Sequence, residues 1–272
     1  MWQCPLCQHA LDTSSTTWRC DNNHTFDQAK SGYINLLPVQ NKRSREPGDD
    51  KVMLTARRDF HQTLGYKPLM QKIVQIIGAH FSEKNSLTVY EAGCGEGAYL
   101  RFIQKNLIHE GAVFTAGNDI AKAAVDMAAK LDKRGQFVVA SSFSLPVMEQ
   151  TVDVLLLVFA PGDHNEFARV LADKGVLITV DPGPEHLIEM KKVIYETPEK
   201  HSPPSASSGL LNIVEELPLT FSVSLEDDKR RNGLIGMTPL CWKLSEQTLA
   251  TLHHAVKTVT ADFVIRVWCK HS

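Results

Sequence analysis

The sequence predicts an α/β protein, a mostly parallel sheet flanked by helices, with a small metal-stapled module in front. Three observations predict it. From Leu87 onward, apolar β-rich runs alternate with helix-patterned segments. A glycine-rich turn, Gly93-Cys94-Gly95-Glu96-Gly97, joins the first of those runs to the first of those helices. Cys4, Cys7, Cys20 and His24 crowd the N-terminus. The 272 residues are 43% hydrophobic and 22% charged, a composition that supports a packed core and excludes a disordered chain. A formal net charge of −2 confers no general attraction for polyanions, so any nucleic-acid contact must come from local patches. No apolar run reaches the roughly 18 residues of a membrane span, and MWQCPLCQHA lacks the basic start and apolar core of a signal peptide. No membrane association and a cytoplasmic location are therefore expected.

The elements follow in order. Residues 1–37 carry Cys, His, Trp and short turns without a helical period, as a zinc-binding domain would. Residues 41–50, NKRSREPGDD, are polar and contain Pro-Gly, the mark of a linker or exposed loop. Residues 51–81 have the spacing of two helices, with Pro68 near the start of the second. Residues 38–80 are thus a basic linker with helices, and residues 81–272 the main domain. In it, LTVYEAG is a buried strand, AYLRFIQKNLI a helix, GAVFTAGND a strand, AKAAVDMAAKL a helix, and QFVVAS a third strand. TVDVLLLVFA is a fourth strand. DHNEFARVLA is a helix opened by Asp163 and Glu166 at capping-box spacing, and GVLITVD is a fifth strand. Residues 198–209, rich in Pro and Ser, are a surface loop. The tail ends in a helix, SEQTLATLHHAVKTV, and a strand, DFVIRVWCK. Helices are expected on both faces of the sheet.

The glycine turn follows a strand and opens a helix, so a ligand can approach its backbone. Alone it does not separate a dinucleotide site from an S-adenosylmethionine site. Its surroundings favour the second. Asp119 ends the following strand, where a carboxylate accepts both hydrogen bonds of a ribose diol. The segment 140–146, with Ser142 and Leu145, follows the third strand at the place of an adenine-flanking loop. Phe159-Ala160-Pro161 follows the fourth, again at the carboxyl edge, where ligands of open sheets bind. The predicted fold is the class I S-adenosylmethionine-dependent methyltransferase fold, Rossmann-like, with S-adenosyl-L-methionine as cofactor.

Cys4-x-x-Cys7 and Cys20-x-x-x-His24 offer three thiolates and one imidazole, a closed tetrahedral set that suits one structural zinc ion and leaves no open position for substrate. His9 competes as a ligand with a poorer spacing, and free thiols in a small core are the alternative. Because the sheet domain is separate in this reading, Cys20→Ser is expected to loosen residues 1–37 and leave cofactor binding nearly intact. Lys42, Arg43 and Arg45 are candidates for RNA phosphates, set against an ordinary solvated loop.

Taken together, the chain resembles the bacterial 23S rRNA (guanine-N1-)-methyltransferase family over nearly its full length. The resemblance rests on Cys4-Pro-Leu-Cys7, Cys20 and His24, and on Phe26-Asp27-x-Ala29-Lys30-x-Gly32-Tyr33-x-Asn35. It extends through Lys42-Arg43-Ser44-Arg45, Ala56-Arg57-Arg58-x-Phe60, the glycine motif, Ala160-Pro161, Pro182-Gly183-Pro184-x-His186-Leu187 and Met237-Thr238-Pro239. It implies zinc on Cys4, Cys7, Cys20 and His24. It implies a cofactor site that includes Tyr66, Gly93, Gly95, Glu96, Gly97 and His186. It also implies methylation of a guanine in a 23S rRNA hairpin loop by a homodimer. Glu91 stands where Asp is commoner, and Asp181 replaces a small or hydroxyl residue before Pro182. Guanine N1 carries a proton that must leave. Asp181 is the candidate base on position alone, against a strand-end turn cap. The rival readings are a small-molecule, quinone-type methyltransferase and a non-catalytic zinc-containing RNA-binding protein.

Overall fold

The computed structural model describes residues 1–41, 48–202, 209–242 and 244–271. Part of the predicted linker, with Lys42, Arg43 and Arg45, and much of the predicted 198–209 loop lie outside them. Strands β1 (Leu11–Asp12), β2 (Thr17–Cys20) and β3 (Thr25–Asp27) form a small antiparallel sheet. Strand β4 (Ile34–Asn35) leaves that module and pairs in parallel with the edge of the large sheet. Helices α1 (Lys51–Gln62) and α2 (Lys67–Phe81) follow. The Asp50 carboxylate caps α1 by accepting the Met53 N–H at 2.8 Å, and Pro68 sits in the first turn of α2, where its missing donor is not needed.

The main domain runs β5 (Ser86–Ala92), α3 (Ala98–Asn106), β6 (Ala112–Asp119), α4 (Lys122–Leu131), β7 (Gln136–Val139), β8 (Val152–Val158), α5 (His164–Val170) and β9 (Leu171–Pro182). It continues with α6 (Ile188–Ile194), β10 (Leu211–Ser224), α7 (Asp228–Met237), α8 (Glu246–Ala255) and β11 (Thr258–Lys270). The large sheet is eight-stranded, in the order β10-β11-β9-β8-β5-β6-β7-β4. Strand β11 is antiparallel to both neighbours, and the other pairings are parallel. From β5 the chain builds outward through β6 and β7, then crosses to β8 and β9 on the other side. This reversal between β5 and β8 opens a crevice at their carboxyl ends.

The two faces of the sheet are covered differently. Val154, Leu156 and Val158 of β8 join a cluster with buried residues of α2, α3, α4, α6, α7 and α8. The alternate residues Leu155 and Leu157 face a second cluster, to which α5 gives Phe167 and Val170 and the N-terminal module gives Trp2, Leu11 and Trp18. The expectation of helices on both faces is thus met by α5 alone on the second. Between β7 and β8 there is no helix, and the N-terminal module fills that place. The Trp2 ring lies 5.4 Å from Trp18 and 5.9 Å from Tyr90 of β5. Main-chain bonds seal the junction, from the Gln3 N–H to the Pro146 carbonyl and from the Met148 N–H to the Met1 carbonyl.

Several elements depart from the sequence expectation. Strand β9 begins at Leu171, so the preceding helix ends earlier than predicted. The last helix stops at Ala255, and the final strand takes up the following residues from Thr258. Elements β10, α6 and α7 had no counterpart in the sequence reading. Among the described residues no helix is long and apolar enough to cross a membrane.

Candidate active site and metal centre

The N-terminal module brings four ligand atoms together. Cys4 Sγ and Cys20 Sγ each lie 3.5 Å from His24 Nδ1, and Cys7 Sγ lies 3.6 Å from Cys20 Sγ. All four lie within 4.8 Å of one another. A tetrahedral ion with bonds of about 2.3 Å to sulfur and about 2.0 Å to nitrogen sets its ligands roughly 3.5–3.8 Å apart. The residues therefore fit a structural zinc ion. The turns that present them are tight. Gln8 and Asn23, one beyond Cys7 and one before His24, both adopt left-handed φ, 65° and 62°. The competing candidate His9 instead meets the Asn22 amide at 3.0 Å.

The glycine turn lies in the crevice. Gly93, Gly95 and Gly97 have φ of 72°, 54° and 75°, the region where a side chain costs most. A Cβ on Gly93 would sit 2.5 Å from the Ala160 Cβ, so this glycine lets the loop after β8 close on the loop after β5. Asp119, at the carboxyl end of β6, accepts the Gly95 N–H at 2.9 Å and the Ala121 N–H at 2.8 Å. Burial pushes its carboxyl upward, while those two N–H groups and the Arg57 guanidinium pull it back. Beneath the turn, Glu91 Oε2 and the Tyr99 hydroxyl are buried without a hydrogen-bond partner among the described residues. Burial, followed by the charges of Glu96 and Asp119, drives the Glu91 carboxyl well above its ordinary range. A backbone cradle closed to side chains, an acid at the next strand end and two orphaned polar atoms fit the S-adenosylmethionine expected from the sequence.

The remaining candidates divide. Ser142 Oγ is within 3.4 Å of the Asn118 amide, beside the crevice, while Leu145 is buried and its N–H donates to Glu166 at 2.9 Å. Glu166 therefore does not complete a capping box; Asp163 alone caps α5, through the Asn165 N–H. Together Glu166 and Arg169 hold the loop after β7, Arg169 bonding the Leu145 and Val147 carbonyls. Glu96 is buried with its carboxylate turned to His61 at 2.8 Å and Arg101 at 2.5 Å. Burial opposes its ionisation, but those two partners prevail and hold the carboxyl at about 2. Tyr66 and His186 meet in an aromatic cluster around Phe263, at 5.2 and 4.9 Å from that ring. Burial and then the neighbouring His201 lower the His186 imidazole to about 4, so it is neutral at pH 7. Asp181 lies on the other face of the sheet from that cluster, paired with Val264 rather than Phe263. Burial raises its carboxyl, against the opposing charges of Arg266 and His164.

Sequence reasoning missed the supporting groups. Arg57, named only within the segment that carries the family resemblance and given no role, reaches the turn: its Nη1 is 3.4 Å from where a Gly95 Cβ would be, and it pairs with Asp49 at 2.7 Å. His61 and Arg101 gave no signal at all, because their partner Glu96 is brought to them only by the fold.

Fold, cradle and metal centre define a class I S-adenosylmethionine-dependent methyltransferase with an N-terminal zinc ribbon. Comparison with known proteins agrees. Residues 2–45 match the zinc-ribbon model described as "RlmA, N-terminal", and residues 90–179 match "Methyltransferase domain". The chain is 29% identical over 276 residues to the Bacillus subtilis (strain 168) protein named "Putative 23S rRNA (guanine-N(1)-)-methyltransferase YxjB", covering 97% of this chain and 96% of that one. It is 32% identical over 190 residues to the 23S rRNA (guanine(748)-N(1))-methyltransferase of Streptomyces fradiae, covering 69% and 65%. A Micromonospora griseorubida protein, "Putative 23S rRNA (guanine-N(1)-)-methyltransferase", is 32% identical over 208 residues, covering 69% and 68%. The chain belongs to the 23S rRNA (guanine-N1-)-methyltransferase family.

Proposed function

We propose that the chain methylates N1 of a guanine in a hairpin loop of 23S rRNA. One observation carries the reading: a complete cofactor cradle and a complete three-sulfur, one-nitrogen metal site share one core, and the Bacillus subtilis relative with this activity in its name aligns over 97% of the chain. A quinone-type enzyme has no use for the ribbon. A mere RNA-binding protein has no use for the orphaned Glu91 and Tyr99 beneath an open backbone cradle.

S-adenosylmethionine, when bound, supplies the electrophilic sulfonium methyl group. The chain supplies position and exclusion of water. Gly93, Gly95 and Gly97 admit the cofactor to the backbone, and Asp119 offers its carboxylate to the ribose. Ser142 and Leu145 border the adenine, Tyr66 and the neutral His186 close the methionine end, and Glu96 fixes α1 and α3 around the turn. The N1 proton needs an acceptor, and Asp181 is our candidate on its place at the carboxyl end of β9 alone, its side chain lying on the sheet face opposite the aromatic cluster. Its half-buried carboxyl, raised by burial, sits one residue beyond Val180, whose carbonyl accepts the Phe159 N–H. The domain limits that suit this division of labour remain 1–37, 38–80 and 81–272. We further propose a homodimer in the cytoplasm, a reading that the family resemblance and the proposed rRNA substrate support.

Lys42, Arg43 and Arg45 are proposed to grip phosphates of the hairpin. The test measures methyl transfer to a 23S hairpin fragment and RNA affinity at several salt concentrations. Replacing all three residues with Ala should weaken RNA binding and flatten the log–log salt slope by about 0.7–0.9 for each phosphate left unneutralised. Affinity for S-adenosylmethionine should hold. Equal affinities and parallel slopes would return these residues to a solvated loop, and a wild type that methylates no guanine would sink the substrate reading.

A further inference from the structure

Phe159 breaks two local preferences at once. It is a non-glycine residue with φ of 53°, immediately after the end of β8. There a bulky side chain strains the backbone, and such strain gathers at functional sites. It is also a large aromatic residue left 45% exposed. The strained backbone is pinned, its N–H donating to the Val180 carbonyl at 3.1 Å. Part of the ring packs on Phe263 and His186, with centroids at 5.5 and 6.0 Å, and the rest faces outward.

Its position gives the exposed part a meaning. The next residue, Ala160, closes on Gly93 of the cofactor turn. His186, on the other side, borders the proposed methionine end of the site. The ribose and adenine are assigned to the carboxyl ends of β6 and β7. In the strand order β9-β8-β5-β6-β7, the end of β8 lies on the opposite side of the turn. A methyl acceptor must approach from there. We propose that Phe159 is the platform on which the target guanine stacks, base face to ring face, with its N1 edge turned toward the cofactor. The inference rests on the guanine-methylating reading above and adds the residue that positions the base. Stacking on an aromatic ring suits a loop nucleotide, whose base can be drawn out of its neighbours' stack.

The test uses the full-length, zinc-loaded protein with Phe159→Tyr, Phe159→Trp, Phe159→Leu and Phe159→Met. Single-turnover methyl transfer to a 23S hairpin fragment is measured beside calorimetric affinity for S-adenosylhomocysteine. Leucine fills the space without a π face, and methionine serves if leucine unfolds the aromatic cluster. The expected result is a loss of methyl transfer of roughly 10- to 100-fold in the aliphatic variants, and near wild-type transfer in the aromatic ones. Affinity for S-adenosylhomocysteine should be unchanged in all four. Aliphatic variants as active as aromatic ones would overturn the proposal. So would a parallel fall in cofactor affinity, which would make the ring a wall of the cofactor site. A wild type that binds S-adenosylhomocysteine yet methylates no guanine overturns the underlying reading instead, and does so before any variant is made.

Discussion

His186 shows how a single buried group ties the site to pH. Its imidazole ordinarily titrates near 6.5, and in the fold burial holds it at about 4. The folded state thus binds its proton less readily than the unfolded state. The neutral ring contributes stability that is present above pH 6.5 and is lost as pH falls through 4. The shift corresponds to roughly 3 kcal/mol. Urea midpoints measured from pH 7 to pH 4 should fall more steeply for the wild type than for His186→Gln. Identical slopes would mean that the ring is solvated or protonated in the fold. Glu96 acts in a different window, since its carboxyl, held at about 2, contributes stability above 4.5 that is lost as pH falls further. At this scale the sequence was a partial guide. It marked the glycines, Asp119 and the zinc ligands, whose chemistry is written in residue type and spacing. It gave Arg57 no role and was silent on His61 and Arg101, which matter only through the neighbours that folding gives them.

At the scale of elements, α1 is fastened to the cofactor turn and to α7. The fastening to the turn is the Glu96 carboxylate, clamped by His61 of α1 and Arg101 of α3. Removing Arg101 leaves a buried carboxylate short of a charged donor, a loss of about 1.5–3 kcal/mol. Arg101→Ala should therefore lower the unfolding free energy by that amount and weaken S-adenosylhomocysteine binding. The double variant Arg101→Ala, Glu96→Gln should recover part of the stability. A double variant no more stable than the single one would show that the clamp is not what holds α1. The fastening to α7 explains an element that the sequence concealed. Gly233 and Gly236 lower the helix propensity of this segment, yet a Cβ on Gly233 would lie 2.7 Å from the Phe60 N, and one on Gly236 2.8 Å from the Ala56 Cβ. They are glycine because α1 passes so close. Strand β10 was hidden for another reason. It is an edge strand, exposed along most of its length and carrying Pro218, which a sheet tolerates only at its border. The central strands β5, β6, β8 and β9 were legible because burial on both faces forces continuous apolar runs.

At the scale of the molecule, the zinc ribbon is part of the methyltransferase core. The sequence portrays two separable units, and so predicts that a ligand mutation would spare the cofactor site. The packing favours the opposite outcome: Trp2, Cys4, Leu11, Trp18 and Cys20 share a cluster with Tyr90, Ala92 and Ala140, which belong to or adjoin strands that carry the cofactor loops. Losing the ion should therefore loosen the sheet face as well as the ribbon. Stripping zinc with a chelator, or Cys20→Ser, should lower the thermal midpoint of the whole chain in a single transition and weaken S-adenosylhomocysteine binding with it. Two separate transitions, with the cofactor affinity intact, would restore the picture of independent units. Trp2→Ala, with the metal still bound, should cost about 3–5 kcal/mol through the same packing.

The missing helix between β7 and β8 has a consequence for the life of the protein. Where a helix would fold with the chain and stay, this enzyme has an exchangeable part, held by three thiolates that other metals and oxidants also seek. Because Trp2, Trp18 and Leu145 pack together, a copy that forfeits its ion is expected to bare two indoles and the loop after β7 together, and to be cut by proteases sooner than the zinc-bound form. Scarcity of a trace metal would then be felt as fewer surviving molecules, each of them still working at full speed.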